Sequence, residues 1–279
     1  GLDGRPFRAK TWGVDAFKRN LEKLAELAIR VGLNLEKGQE VIATAPIEAV
    51  DFVRLLAEKA YREGASLFTV IYGDQELARK RLALAPEEGL DKAPAWLYEG
   101  MARAFREGAA RLAVSGSDPK ALEGLPPEKV GRAQKANARA YKPALEAITE
   151  FVTNWTIVPF AHPGWARAVF PGLPEEEAVR RLWEAIFQAT RADQEDPIAA
   201  WEAHNRALHE KVAYLNARRF HAHAGGQGHG VGAVAEVGVG VVQADGGVAQ
   251  ADLARAGLAD LDLFDLKHLR AAGAVHADG

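Results

Sequence analysis

Apolar residues at Phe17, Leu21, Leu24, Ala28 and Val31 recur at helical spacing, which predicts a first helix capped by Asp15 and ended near Gly32. The short apolar run Val41-Ile42-Ala43 follows, and Pro46 then starts a helix that runs to about Glu63 and is stopped by Gly64. Residues 67–72 are β-branched and aromatic and lie between Gly64 and Gly73, the pattern of a buried strand. Helical spacing returns over residues 74–84 and 95–107, with Gly108 as the stop. Leu112-Ala113-Val114 reads as a third strand and closes on Ser115-Gly116-Ser117-Asp118-Pro119. A long polar helix is expected over 127–141, a fourth strand over 154–159, and two helices over 175–191 and 197–219.

Strands of near-continuous apolar character that alternate with helices pair in parallel through right-handed crossovers. The expected fold class is therefore α/β: a doubly wound, mainly parallel sheet with flanking helices, followed by a low-complexity Gly/Ala-rich tail. Ligands of such sheets sit beyond the carboxyl ends of the strands. Here those ends carry Thr44, Tyr72, Asp74, Ser115, Ser117, Asp118 and His162.

Composition changes this picture near residue 220. Residues 221–279 hold only Arg255, Lys267 and Arg270 as strong bases, and Ala, Gly, Val, Asp and Glu make up 41 of those 59 positions. So little large apolar side chain cannot build a core of its own. All five of those amino acids have codons beginning with G, so the tail reads as a GC-rich gene translated out of frame. The other reading is a Gly-rich linker over 225–247 followed by a short helix near 253–271.

Overall, 35 Lys and Arg stand against 38 Asp and Glu, with no basic stripe, which argues against a nucleic-acid partner. The chain has no cysteine, so disulfides, thiolate metal sites and a cysteine nucleophile are excluded. No apolar run reaches the roughly 18–20 residues that a membrane span needs. The opening GLDGRPFRAKTWG has no apolar signal region, which predicts a cytoplasmic protein. One methionine and no cysteine fit the avoidance of heat-labile side chains in thermophiles.

Most motif matches have ordinary explanations. His209-Glu210 begins the zinc-helix pattern but lacks the second histidine, and His204 and His209 lie on different helix faces. His221, His223 and His229 form a loose group beside flexible glycine with no nearby carboxylate to orient a ring. The G-x-G-x-x-A match from Gly228 to Ala233 lacks both the strand before it and the helix after it that phosphate binding requires. Ser115, Ser117 and Asp118 form either an anion-holding loop or an Asp-capped turn that starts the next helix. His162, in the run 154–166 with Trp155, Pro163 and Trp165, is either a substrate contact or part of a packing cluster at the core edge.

Four segments carry a resemblance: LAELAIRVGLNL (24–35), ATAPIEAVDFVRLLAEKAY (43–61), EFVTNWTIVPFAHPGWARAVFPGLPEEEAV (150–179) and AAWEAHNR (199–206). Through them, residues 14–220 resemble the N-terminal domain of the thermophilic metallo-aminopeptidase family. Residues 1–13 fall outside the match as an extension, and 221–279 form an atypical tail. The resemblance implies removal of N-terminal residues from peptides, a homodimer, and two divalent ions, zinc or cobalt, held by Glu, His, Asp and Tyr of a separate catalytic domain. Paired ions of this kind polarise the scissile carbonyl and activate water. None of those ligands can be carried onto a position of this chain. Residues 221–279 contain one glutamate, Glu236, and no tyrosine. The expectation is a chain that holds no metal pair and is inactive alone. The alternative is a small-ligand-binding or dimerisation module that uses the strand ends.

Overall fold

The structure, a computed structural model, describes residues 13–216. The first helix, α1 (Val14–Leu27), is N-capped by Gly13, so Asp15 lies in the first turn rather than at the cap, where it still faces the positive end of the helix dipole. The helical path continues as a π-turn over Ala28–Gly32. Four strands follow: β1 (Glu40–Pro46), β2 (Leu67–Gly73), β3 (Ala110–Ser115) and β4 (Trp155–Pro159). They form one sheet in the order β2-β1-β3-β4, with every pair parallel. The predicted α/β class is borne out, and the sheet is wholly parallel.

A 3-10 turn (Ile47–Ala49) and α2 (Val50–Arg62) link β1 to β2. From β2 the chain steps across β1 to β3 through α3 (Gln75–Leu84), the short α4 (Glu87–Leu90) and α5 (Ala95–Arg106). Helix α6 (Pro127–Thr149) returns it to β4. That helix runs eight residues past its predicted end and contains Pro143. It continues because Ala144, Ala147 and Ile148 bury against α5 and the sheet, and tertiary packing outweighs local propensity. Three helices complete the described chain: α7 (Pro163–Val169), α8 (Glu175–Ala189) and α9 (Pro197–Asn216). The short helix α4 has no counterpart in the sequence reading, and α7 begins at Pro163, whose ring presets the backbone for a turn or helix start.

Alternation along the strands divides the core in two. Val41, Ala43, Leu112, Val114 and Val158 face α1, α2 and α8, where Phe52, Phe160, Trp183 and Phe187 form a packed aromatic group. Ile42 faces the opposite layer of Met101, Phe105, Ala144 and Ile148 from α5 and α6. Step reversal between β1→β2 and β2→β3 places the crevice of the doubly wound sheet between β1 and β3. No described helix is long and apolar enough to cross a membrane. The extension 1–12, the His221/His223/His229 group, the glycine-rich match and the tail readings lie outside the described residues.

Candidate functional site

The carboxyl ends of β1, β3 and β4 bring His162, Asp118 and both serines into one neighbourhood. Ser115 pairs with Pro159 across the sheet, and the Phe160 N–H donates to the Ser115 carbonyl at 2.7 Å. Gly116 is needed at that crossing because a Cβ there would lie 2.1 Å from the Phe160 carbonyl oxygen. The glycine thus permits close backbone approach at this crossing. Asp118 Oδ1 accepts the Lys120 N–H at 2.8 Å, so the carboxylate caps a turn. The next α-helix begins only at Pro127, so the predicted Asp-capped turn exists but does not start that helix.

The other Asp118 oxygen, Oδ2, accepts from Arg167 Nη2 at 3.3 Å. Arg167 also pairs with Glu175 at the start of α8. Gln75 at the start of α3 accepts the Asp118 N–H at 2.9 Å. One aspartate therefore ties β3 to α3 and α7, and Arg167 extends the tie to α8. Gly164 closes the junction: a Cβ there would lie 2.3 Å from Asp118 Cγ.

His162 is buried and N-caps α7, its Nδ1 accepting the Gly164 N–H at 3.0 Å. That bond places the ring proton on Nε2. Nε2 lies 3.6 Å from Glu48 Oε1 in the 3-10 turn after β1. The ring therefore sits between β4 and β1, with Nδ1 hydrogen-bonded and Nε2 beyond hydrogen-bond distance of Glu48. Among the described residues, neither Ser115 nor Ser117 has a histidine in hydrogen-bond contact, so no nucleophile–base pair is assembled. Glu48 and Arg167 were missed by the sequence reading, since nothing local marks residues more than a hundred positions from His162, or half that from Asp118, as partners.

A second feature is a solvent-open groove of about 350 Å³ lined by Phe17, Glu175, Glu176, Val179, Arg180 and Trp183. Beneath it, Arg180 is held by Glu177 and by the fully buried Glu184. Burial pushes the Glu184 carboxyl above the ordinary glutamate range, against the pull of Arg180. Hydrogen bonds from Arg180 and Arg181 hold the Glu177 carboxyl below that range. His209 Nδ1 lies 2.8 Å from the Asn205 carbonyl on the same helix, an ordinary helix-surface contact.

A paired-metal site needs several convergent oxygen and nitrogen donors. Among the described residues no three His, Cys, Asp or Glu side chains cluster to offer one. His162 Nδ1 already accepts the Gly164 N–H, and the Asp118 carboxylate accepts from Lys120 and Arg167. The described residues therefore do not fit a metal pair, and no catalytic step is assigned to them.

Fold and site together define a doubly wound α/β domain whose strand-end polar groups bind one another. Residues 17–230 match the model of the family described as thermophilic metalloprotease (M29), and the chain belongs to that family. It is 82% identical over 209 residues to "Aminopeptidase T" of Thermus aquaticus, covering 75% of this chain and 51% of that protein. It is 40% identical over 207 residues to "Aminopeptidase AmpS" of Bacillus subtilis, covering 74% and 50%. Among solved structures, "Wild-type AmpT from Thermus thermophilus" superposes with a TM-score of 0.71 at 97% identity, over 74% of this chain and 50% of that one. The chain spans about half the length of the curated relatives it matches. The expected resemblance to metallo-aminopeptidases is thereby borne out.

Proposed function

We propose that residues 14–220 form the non-catalytic, N-terminal α/β half of a metal-dependent aminopeptidase, an enzyme that releases N-terminal residues from peptides. In this reading the two divalent ions, zinc or cobalt, are held by residues outside the described domain, and the 279-residue chain hydrolyses nothing by itself. The observation that supports the reading is the strand-end junction itself: His162 Nδ1 caps α7, Asp118 is tied to Lys120 and Arg167, and no three ligating side chains cluster among the described residues. The composition of 221–279, with Glu236 as its one glutamate and no tyrosine, supports it too. We further propose a cytoplasmic protein that forms a homodimer, with peptides as the substrate class and no nucleic-acid or membrane partner.

The test is an assay of the purified chain on a leucine chromophore substrate, with and without added cobalt or zinc, beside sedimentation equilibrium for the dimer. Absence of turnover under all conditions agrees with the reading. Metal-stimulated release of leucine sinks the non-catalytic part of it.

A further inference from the structure

The buried imidazole of His162 holds a bond that only its neutral form can make. Nδ1 accepts the Gly164 N–H at 3.0 Å and so caps α7. A neutral imidazole has one donor nitrogen and one acceptor, whereas the imidazolium donates from both. Protonation therefore turns Nδ1 from the partner of the Gly164 N–H into a competing donor, and the cap is lost. The other nitrogen gains in the same event. Nε2 lies 3.6 Å from Glu48 Oε1, too far for a hydrogen bond but within ion-pair range once the ring is charged. The charges at the junction favour that state. Glu48 approaches from the turn after β1, and Asp118 from the loop after β3, where it packs on Gly164. Glu175 stands at the start of α8, and Arg167 of α7 is the cation that pairs with Asp118 and Glu175. Three carboxylates thus stand against one guanidinium.

We propose that His162 is an acid-sensitive latch on α7: neutral, it caps the helix; protonated, it releases the cap and pairs with Glu48. A proton from solvent adds to Nδ1, the Gly164 N–H loses its acceptor, and Nε2–H turns to the Glu48 carboxylate. Helix α7 has seven residues, so its first turn depends on that bond. It also carries Arg167, whose ties to Asp118 and Glu175 join it to the strand ends and to α8, so the opening reaches those contacts. Imidazoles change charge between about pH 5 and 8, above the carboxylate range, which separates the latch from acid loss of the Arg167 ion pairs. The latch does not rest on the aminopeptidase reading.

The experiment is amide hydrogen exchange of the 279-residue chain by NMR between about pH 8 and 5, read as protection factors corrected for the intrinsic pH dependence of exchange, with the His162 ring followed in the same samples. Gly164, and Ala166 whose N–H bonds the His162 carbonyl, should lose about fivefold in protection as the ring protonates, the size expected for loss of a cap, while Leu112 in β3 keeps its own. His162→Asn, which keeps an acceptor and takes up no proton, should hold the Gly164 and Ala166 values constant. Glu48→Gln should shift the transition to lower pH, because it removes a charge that favours the imidazolium. Constant Gly164 protection while the ring titrates overturns the proposal, as does a His162→Asn chain that loses protection like the wild type; an unmoved transition in Glu48→Gln overturns the pairing with Glu48. Should His162→Asn fail to fold, the wild-type ring decides: loss of Gly164 protection where the ring protonates supports the latch, and loss without it, or a ring that stays neutral, refutes it.

Discussion

Replacing Gly116 by alanine would set a methyl group 2.1 Å from the carbonyl oxygen of Phe160. An ordinary carbon–oxygen contact is more than 1 Å longer, and the obstructing atom is backbone. Relief therefore requires the end of β3 to move away from β4, at the point where the Phe160 N–H bonds the Ser115 carbonyl. Overpacking a rigid interior costs about 1–3 kcal/mol, and a backbone obstruction belongs at the upper end, so we assign about 3 kcal/mol. For a domain of this size that lowers the melting temperature by about 6 to 12 °C. Gly100 supplies the control. It lies inside α5 with nothing within 4 Å of a built Cβ, so Gly100→Ala should raise stability by about 0.5–1 kcal/mol through helix propensity alone. Calorimetric melts of both variants beside the wild type make the assay. A Gly116→Ala chain within about 3 °C of the wild type would refute the close-approach argument.

Three further outcomes follow from the same geometry. His162→Ala should cost about 1 kcal/mol by removing the α7 cap, while His162→Asn, which keeps an acceptor for the Gly164 N–H, should recover most of it in denaturant titrations. Because burial raises the Glu184 carboxyl, the folded state takes up that proton at higher pH than the unfolded chain, and the stability linked to protonation is present in acid and lost as pH rises toward the raised value. Glu184→Gln should therefore melt above the wild type at neutral pH, with a margin that shrinks as pH falls through the carboxylate range; a margin independent of pH contradicts this. Arg132 pairs with Glu87 and Asp91, so Arg132→Ala should speed amide exchange in α4 while leaving the four strands unchanged.

The four strands and their parallel pairing were legible because short apolar runs carry their own signal, as with residues 67–72 between Gly64 and Gly73, although β2 is not the buried strand that run predicts: it lies at the sheet edge and none of its residues is buried. Helix ends were less legible. α6 passes its predicted stop at Tyr141 because Ala144, Ala147 and Ile148 find a partner in α5, a fact of tertiary structure. Helix α7 was legible only as a turn or helix start at Pro163, because its seven residues are too few for periodicity to mark; the cap acceptor, His162, shows in the structure. The candidate residues were found at the right end of the sheet, but their meaning depended on partners distant in sequence. Glu48 meets His162 and Arg167 meets Asp118 only once the sheet has formed.

The central claim is that this domain belongs to a metallo-aminopeptidase without itself holding the metals. Its most direct test is elemental analysis of the purified chain after incubation with zinc or cobalt and removal of unbound ions. The account predicts no stoichiometric metal. About two tightly held ions per chain, the number implied by the family resemblance, would contradict it and require a ligand set that the strand-end junction does not provide.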